Sequence, residues 1–172
     1  MNSLPVAAAS SNANLAGLHD VLVTANINPK TGLSTDYMNH FNEMVMLIQL
    51  FPSAPDVAEE ILAWQPRNYC EHFEHSGFRS KALALLGHQL CPPALTRELN
   101  VIVAEIDTVL LNAQELVATA SDSPKTALAL DEAVEAVEVL IARASMLING
   151  LAAVEDAGAD DAQAAVDALF GG

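Results

Sequence analysis

The sequence has little positive charge. Its 172 residues include 7 Lys and Arg but 22 Asp and Glu, which gives a formal net charge of −15. Nucleic acids and anionic membranes are bound mainly through Lys and Arg. We therefore expect neither nucleic acid nor a membrane among the partners of this protein.

Cysteines, long apolar runs and early basic residues are scarce as well. The two cysteines are too few for a disulfide framework in a chain of this length. No stretch approaches the roughly 18 apolar residues of a transmembrane helix. The first basic residue is Lys30, so we expect no secretory signal peptide, which would begin with a positive segment. Because 52% of the residues are hydrophobic, a disordered acidic chain is disfavoured, and we predict a cytoplasmic globular protein with one core.

The C-terminal half has the periodicity of long amphipathic helices. Its apolar residues recur at alternating intervals of four and three, which places them along one helical face. Two such stripes are separated by the turn Ser-Asp-Ser-Pro, in which Ser123 is the expected N-cap. They predict a long antiparallel αα-hairpin over about 94–120 and 124–154. The second helix has a weak point at Asn149-Gly150, where it could end early.

Shorter helices, interrupted by Pro and Gly, are predicted for the N-terminal half. Asn68 followed by Glu71 has the spacing of a capping box and starts a short helix. Leu83, Leu86 and Leu90 define a further helix that the following Pro-Pro pair closes. No segment has the two-residue period of a β-strand. The predicted fold class is all-α, a helical bundle in which several short helices pack on the hairpin.

Negative charge is distributed unevenly along the chain. Residues 1–97 have a net charge of −3 and residues 98–172 a net charge of −12, which predicts an electropositive partner surface for the C-terminal half. The composition predicts four segments: a flexible N-terminus (1–13), a single helical domain (14–154), an acidic linker (155–162) and a short amphipathic tail peptide (163–172).

Carboxylates and histidines at helical spacing suggest a metal site. Asp36, His40 and Glu43 lie along one strip of a predicted helix, and Glu71 and His75 share a face of another. Helical bundles build di-iron and di-manganese centres from such side chains. The Glu-x-x-His spacing of those centres does not occur in this chain. No cofactor is therefore the first expectation, and a transition metal bound by these five residues is the alternative.

The cysteines provide weaker candidates. Cys70, His75, His88 and Cys91 have a spacing that could suggest zinc. Residues five apart on a helix point about 140° away from each other, so Cys70 and His75 diverge and zinc is disfavoured. Cys70 also lies near the N-terminus of a predicted helix, where the pKa of a thiol can fall. The sequence identifies no group that would orient a catalytic partner for this thiol.

The end of the chain has a short amphipathic pattern. In Gln163-Ala-Ala-Val166-Asp167-Ala-Leu169-Phe170 the three large apolar side chains share one helical face. An isolated helix of this length is marginal in water. We therefore expect this face to pack either on the bundle or on a partner.

This tail pattern resembles a docking peptide of chemotaxis and flagellar proteins. It is similar to the N-terminal peptides of the flagellar switch proteins FliM and FliN and to the C-terminal peptide of the phosphatase CheZ. In FliM and CheZ that peptide docks on the response regulator CheY, so the resemblance implies that Val166, Asp167, Leu169 and Phe170 contact a CheY-like receiver domain. The body of the chain lacks the Asp-x-x-x-Gln pair that would orient an attacking water. The resemblance therefore implies docking and not phosphatase chemistry.

Three functions are compatible with these patterns. The first is a small acidic regulatory or adaptor protein that binds a protein partner through residues 163–170. The second is the carboxylate/histidine metal bundle, with an oxidoreductase-like role, and the third is an acidic export chaperone whose hairpin holds an apolar client segment. Gly-rich phosphate loops and the common hydrolase motifs are absent from the sequence, so a non-enzymatic role is favoured. The apolar stripes are wide enough to bury a second copy, which makes a homodimer a further expectation.

Overall fold

The structure is a computed structural model that describes residues 17–119 and 124–151. Within these ranges the chain forms helices and no β-strand, which confirms the all-α prediction. None of these helices combines the length and the apolarity that crossing a membrane requires. The α-helices are α1 (residues 17–24), α2 (Asn39–Leu50), α3 (Ala58–Ala63), α4 (Tyr69–His75), α5 (Lys81–Leu90), α6 (Pro93–Ala118) and α7 (Pro124–Ile148).

The two long helices form the predicted hairpin. Helices α6 and α7 make the most extensive contact in the fold. Helix α7 ends at Ile148 instead of continuing to residue 154, because Gly150 adopts a positive φ of 66°. The N–H of Gly150 donates to the carbonyl of Leu147 at 3.0 Å, and the N–H of Leu151 donates to that of Met146 at 2.9 Å. These two bonds form a Schellman motif, which satisfies the last carbonyls of the helix. The predicted N-cap of α7, Ser123, lies outside the described residues.

Shorter helices cover the hairpin. Helix α2 packs mainly on α7, α3 packs on α6, and α4 packs on α5. A 3₁₀-helix, Thr35–Met38, precedes α2, and a second one, Pro55–Val57, precedes α3. The core between these layers is apolar, and its largest fully buried side chains are Tyr37, Phe41, Phe73, Ile27, Leu33, Met44, Ile48, Ile61, Leu99, Ile102, Ile106 and Leu110.

Two side chains donate hydrogen bonds to backbone carbonyls at helix ends in other parts of the bundle. The amide of Gln114, on α6, donates to the carbonyls of Ile61 and Trp64 at 2.6 and 2.8 Å, at the C-terminal end of α3. The hydroxyl of Thr31 donates to the carbonyl of Ile148 at 2.6 Å, at the end of α7. Carbonyls at helix ends lack intrahelical partners, so the bonds to Trp64 and Ile148 satisfy groups that would otherwise be left unpaired. The Ile61 carbonyl also accepts from the N–H of Trp64 at 3.3 Å.

Helix α5 packs through its smallest residues. Its buried residues are Ala84 and Gly87, and the backbone of Gly87 lies directly against that of Gly32 in the turn after α1. A Cβ added to either glycine would overlap the carbonyl oxygen of the other, and Gly32 also has a positive φ of 73°. Because the small residues face inward, the leucine stripe that defines this helix in the sequence points elsewhere. Leu86 and Leu90 are exposed.

Replacing Gly87 with alanine is expected to lower the free energy of unfolding by about 1–3 kcal/mol, because the added methyl group pushes α5 away from the turn. At an uncrowded position inside a helix the same replacement would be stabilising, by about 1 kcal/mol. The sign of the change therefore tests the contact. Urea unfolding followed by circular dichroism measures it.

Gly77→Ala is the matched control, since a Cβ at that position meets no atom within 4 Å. Its effect is expected to stay within about 0.5 kcal/mol. A Gly87→Ala variant that is more stable than the parent would contradict the close packing of α5 on the turn.

Candidate functional site

The first pair of predicted metal ligands is engaged in local structure. The carboxylate of Asp36 accepts hydrogen bonds from the Asn26 amide at 3.0 Å and from the Ser34 hydroxyl at 3.2 Å. His40 is buried and stacks on Trp64, with ring centroids 4.9 Å apart. Its Nε2 lies 3.1 Å from the carbonyl oxygen of Gln65. Because a carbonyl only accepts, this nitrogen carries a proton and does not offer a lone pair to a metal.

The other three predicted ligands lie apart from these two. Glu43 is exposed on α2. Glu71 completes the predicted capping box, in which its carboxylate accepts from the N–H of Asn68 at 2.9 Å. His75 Nδ1 lies 2.8 Å from the carbonyl oxygen of Glu71. In the part of the chain that the structure describes, no group of three or more His, Cys, Asp or Glu side chains is placed to hold a metal ion. The geometry therefore gives the metal hypothesis no support.

Cys70 and His88 form a neutral pair. The Cys70 sulfur lies 3.6 Å from His88 Nδ1, and the His88 ring stacks on Tyr69 with centroids 4.9 Å apart. Burial, and after it the nearby carboxylates of Glu74 and Glu71, raise the pKa of the thiol, while burial lowers the pKa of His88. The thiol therefore stays protonated, and the helix N-terminus does not make it a thiolate nucleophile.

Aromatic rings surround the buried histidine in a cluster that the sequence does not predict. Tyr37 makes edge contacts with Phe41 and Tyr69 at 5.2 and 5.3 Å. Its hydroxyl donates to the carbonyl of Arg67 at 2.7 Å, and the hydroxyl of Tyr69 accepts from the N–H of Ser34 at 2.9 Å. Burial raises the pKa of both tyrosines, so both stay protonated. The cluster joins α2, α4 and the loop between α3 and α4, which is a structural role.

One half-buried carboxylate has a buried oxygen without a hydrogen-bond partner among the described residues. Oδ1 of Asp107, on α6, accepts no hydrogen bond from any described residue. Burial raises the pKa of this carboxyl group to about 6. The charge of Asp107 in turn raises the pKa of Tyr37, although burial is the larger cause. At neutral pH the fold therefore carries a half-buried charge with one unpaired buried oxygen, which costs stability.

An apolar groove lies between α1 and the outward face of α5. The groove has a volume of 220 Å³, and residues 29–32 of the turn line it together with five leucines. This volume is below the roughly 300–1,000 Å³ of most small-molecule pockets, so the groove suits a few side chains of a peptide better than a cofactor. The five leucines are Leu18, Leu22, Leu83, Leu86 and Leu90.

Three of these leucines are largely exposed. Leu18 is 52% exposed, Leu86 is 50% exposed and Leu90 is 76% exposed. Exposed apolar side chains that line one groove make it a candidate site of interaction. The stripe on α5 is visible in the sequence but its exposure is not, because the burial of Ala84 and Gly87 depends on a turn some 50 residues away.

The predicted tail residues lie outside the described part of the chain. Val166, Asp167, Leu169 and Phe170 belong to residues 152–172, which the structure does not describe. The chain leaves the described fold at Leu151, directly after the end of α7. The tail interpretation therefore stays a prediction from the sequence.

Comparisons with known proteins found no match to a family model, to a curated protein or to a solved structure. Functional arguments for this chain therefore depend on its own residues.

Acidification is expected to destabilise the protein through His40. Its imidazole has a pKa of 6.5 when unperturbed, whereas burial in the folded protein, followed by repulsion from His72 and Arg67, lowers the pKa to about 4. The unfolded chain takes up the proton first, so the free energy of unfolding falls as the pH decreases from 6.5 to 4. The loss from this residue is roughly 2 kcal/mol. Urea unfolding at successive pH values measures it.

His40→Gln should flatten this dependence, since glutamine does not titrate and keeps an amide donor. His19→Gln is the control, because the His19 side chain is exposed and its loss should leave the slope unchanged. Equal slopes for the parent and His40→Gln would contradict the assignment.

Asp107→Asn is expected to stabilise the protein at pH 7 by roughly 1–2 kcal/mol, because it removes a buried charge. The carboxyl pKa is 3.8 when unperturbed and about 6 in the fold. The advantage of the variant should therefore disappear as the pH falls from 6 to 3.8 and Asp107 becomes protonated. Thermal or urea unfolding at pH 7 and pH 4 gives the two values. Asp131→Asn, at an exposed position on α7, is the control, and an equal gain there would attribute the effect to net charge alone.

Proposed function

We propose that this protein is a small acidic regulatory or adaptor protein that binds a protein partner through residues 163–170. The observation that carries the proposal is the tail pattern itself, with Val166, Leu169 and Phe170 on one helical face after an acidic segment. Amphipathic helices of this kind bind by placing their apolar face in a hydrophobic groove. The resemblance to the peptides of FliM and CheZ makes a CheY-like receiver domain the first partner to test.

Two properties of the described fold are consistent with this role. The buried core is formed by residues between Ile27 and Ile148, and the Schellman motif closes α7 before the tail begins. Glu71 is engaged in a helix cap, and His40 is engaged by a loop carbonyl and by ring stacking. Both properties suit a scaffold that presents a binding segment.

Charge favours an electropositive partner. Residues 98–172 carry fourteen acidic and two basic residues, and no basic residue follows Arg143. Like-charged surfaces repel, and complementary ones accelerate association. A partner that binds the tail should therefore have Lys or Arg around its apolar groove, and its binding should weaken at high salt.

A second candidate function is an export chaperone that holds an apolar client. It is favoured by a shallow groove on the hairpin, lined by Val101, Val109 and Leu140 among others. Leu128 and Val139 are further exposed apolar residues on α7, but they do not line this groove. Single exposed apolar residues are common on soluble proteins. This observation therefore supports the chaperone role less strongly than the tail pattern supports the adaptor role.

Leu169→Ser combined with Phe170→Ser is expected to weaken binding to a purified receiver domain by about 100-fold or more, because two large apolar contacts are lost. Isothermal titration with the full chain measures the dissociation constant. Deletion of residues 159–172 should abolish binding and leave the helical circular dichroism signal in place.

Ala168→Ser is the matched control, since residue 168 lies off the face of Leu169 and Phe170, and its affinity should equal that of the parent. Affinity purification with and without the tail extends the test to other partners. If the truncated protein retrieves the same proteins as the full chain, the tail is not the binding segment. If the truncated protein retrieves these partners and loses them only when hairpin residues are substituted, the chaperone role would be favoured.

A further inference from the structure

We propose that the groove between α1 and α5 is an intramolecular docking site for the tail peptide, residues 163–170. The apolar face of the peptide would then be covered by the helical domain of the same chain until a partner competes for that face. This inference deepens the proposed function, on which its regulatory part rests.

The exposed leucines of the groove favour an occupant with apolar side chains. Helix α5 lies against the turn after α1 at the contact of Gly87 with Gly32, and rotating α5 to bury its leucines would break this contact. Leu86 and Leu90 consequently remain exposed beside Leu18. An amphipathic segment with two or three large apolar side chains is the occupant that such a groove fits. The tail peptide supplies Val166, Leu169 and Phe170.

The chain leaves the described fold next to this groove. Thr31 lines the groove, and its hydroxyl donates to the carbonyl of Ile148 at 2.6 Å. A Cβ added to Gly150 would lie 3.7 Å from the Thr31 methyl group, so the end of α7 is in contact with the groove-lining turn. Residues 152–162 then lead to Gln163, and eleven residues can span at most about 36–40 Å. The tail peptide therefore begins within reach of the groove.

Charge supports the same occupant. Lys30 lines the groove, Lys81 is the first residue of α5, and Arg79 lines a neighbouring pocket that shares Leu83. Among the described residues these three cations form no ion pair. The tail and the segment before it carry five acids and no base. The tail would therefore bring opposite charge to the rim of the groove. The five acids are Glu155, Asp156, Asp160, Asp161 and Asp167.

Tethering makes even a weak contact effective. A short linker holds its peptide at an effective concentration of about 1 mM. A peptide with a dissociation constant on the order of 100 µM would then be docked about ten times as often as released. An external partner that needs the same face would bind about ten-fold more weakly than it binds a permanently released tail.

Site-specific photocrosslinking in the full chain tests the docking directly. Phe170 is replaced by p-benzoylphenylalanine, and the protein is irradiated at low micromolar concentration and digested for mass spectrometry. The expected products are crosslinks within one chain to α1, to residues 29–32 or to α5. Leu86→Ser combined with Leu90→Ser should lower their yield about ten-fold, because two exposed walls of the groove are lost.

Leu128→Ser combined with Val139→Ser is the matched control, since these α7 residues are 59% and 69% exposed and do not line the groove. This control should leave the crosslink yield unchanged. Products of dimer size only would mean that the peptide docks on a second copy, and products on the hairpin would place it there. Either result, or a yield that the groove variant does not change, would overturn the proposal.

The partner measurement separates this inference from the proposed function. If the groove holds the tail, Leu86→Ser with Leu90→Ser should tighten binding of a receiver domain about ten-fold. Crosslinks in the groove without binding of any receiver domain would support docking and reject the proposed function. Partner binding without such crosslinks would support the function and reject the docking.

Discussion

The contact between the backbones of Gly32 and Gly87 determines how the N-terminal half is arranged. Because neither residue has a side chain, α5 can lie against the turn after α1, and its small residues then face inward. The same turn is fastened to the end of α7 through the hydroxyl of Thr31. One close approach therefore sets the position of α5 relative to the hairpin and leaves its leucines at the surface. A larger residue at either glycine would change the surface as well as the core.

Several polar side chains donate to backbone carbonyls at helix ends and in loops of the N-terminal half. Each helix leaves carbonyl groups without intrahelical partners, and short helices bring many such ends close together. Gln114 donates to the end of α3, and His75 donates to the carbonyl of Glu71. His40 and Tyr37 donate to loop carbonyls between α3 and α4. The two histidines that suggest a metal site in the sequence are thus used as donors within the fold.

The sequence predicts the elements better than their mutual orientation. The period of apolar residues and the residue types at helix ends are local properties, so the hairpin, the capping box of Asn68 and the weak point at Gly150 could all be identified from the sequence. The exposure of Leu86 could not, because it depends on which residue faces the turn. The same is true of His40, whose stacking partner Trp64 belongs to another segment. The spacing of two residues predicts whether they share a face of one helix. It does not predict which groups of the neighbouring helices lie beside them.

The exposed leucines of α5 can be covered either by a segment of the same chain or by a second copy of the protein. The two differ in how they depend on protein concentration. A dimer interface is occupied only when the protein concentration approaches its dissociation constant. A tethered segment is present at an effective concentration of about 1 mM however dilute the protein is. The acids around the tail would attract the cations near the groove, but screening limits this attraction to about 8–10 Å at physiological salt. Charge would therefore guide the tail to the groove, while contact with the leucines would determine how long it stays and how strongly a partner must bind to displace it.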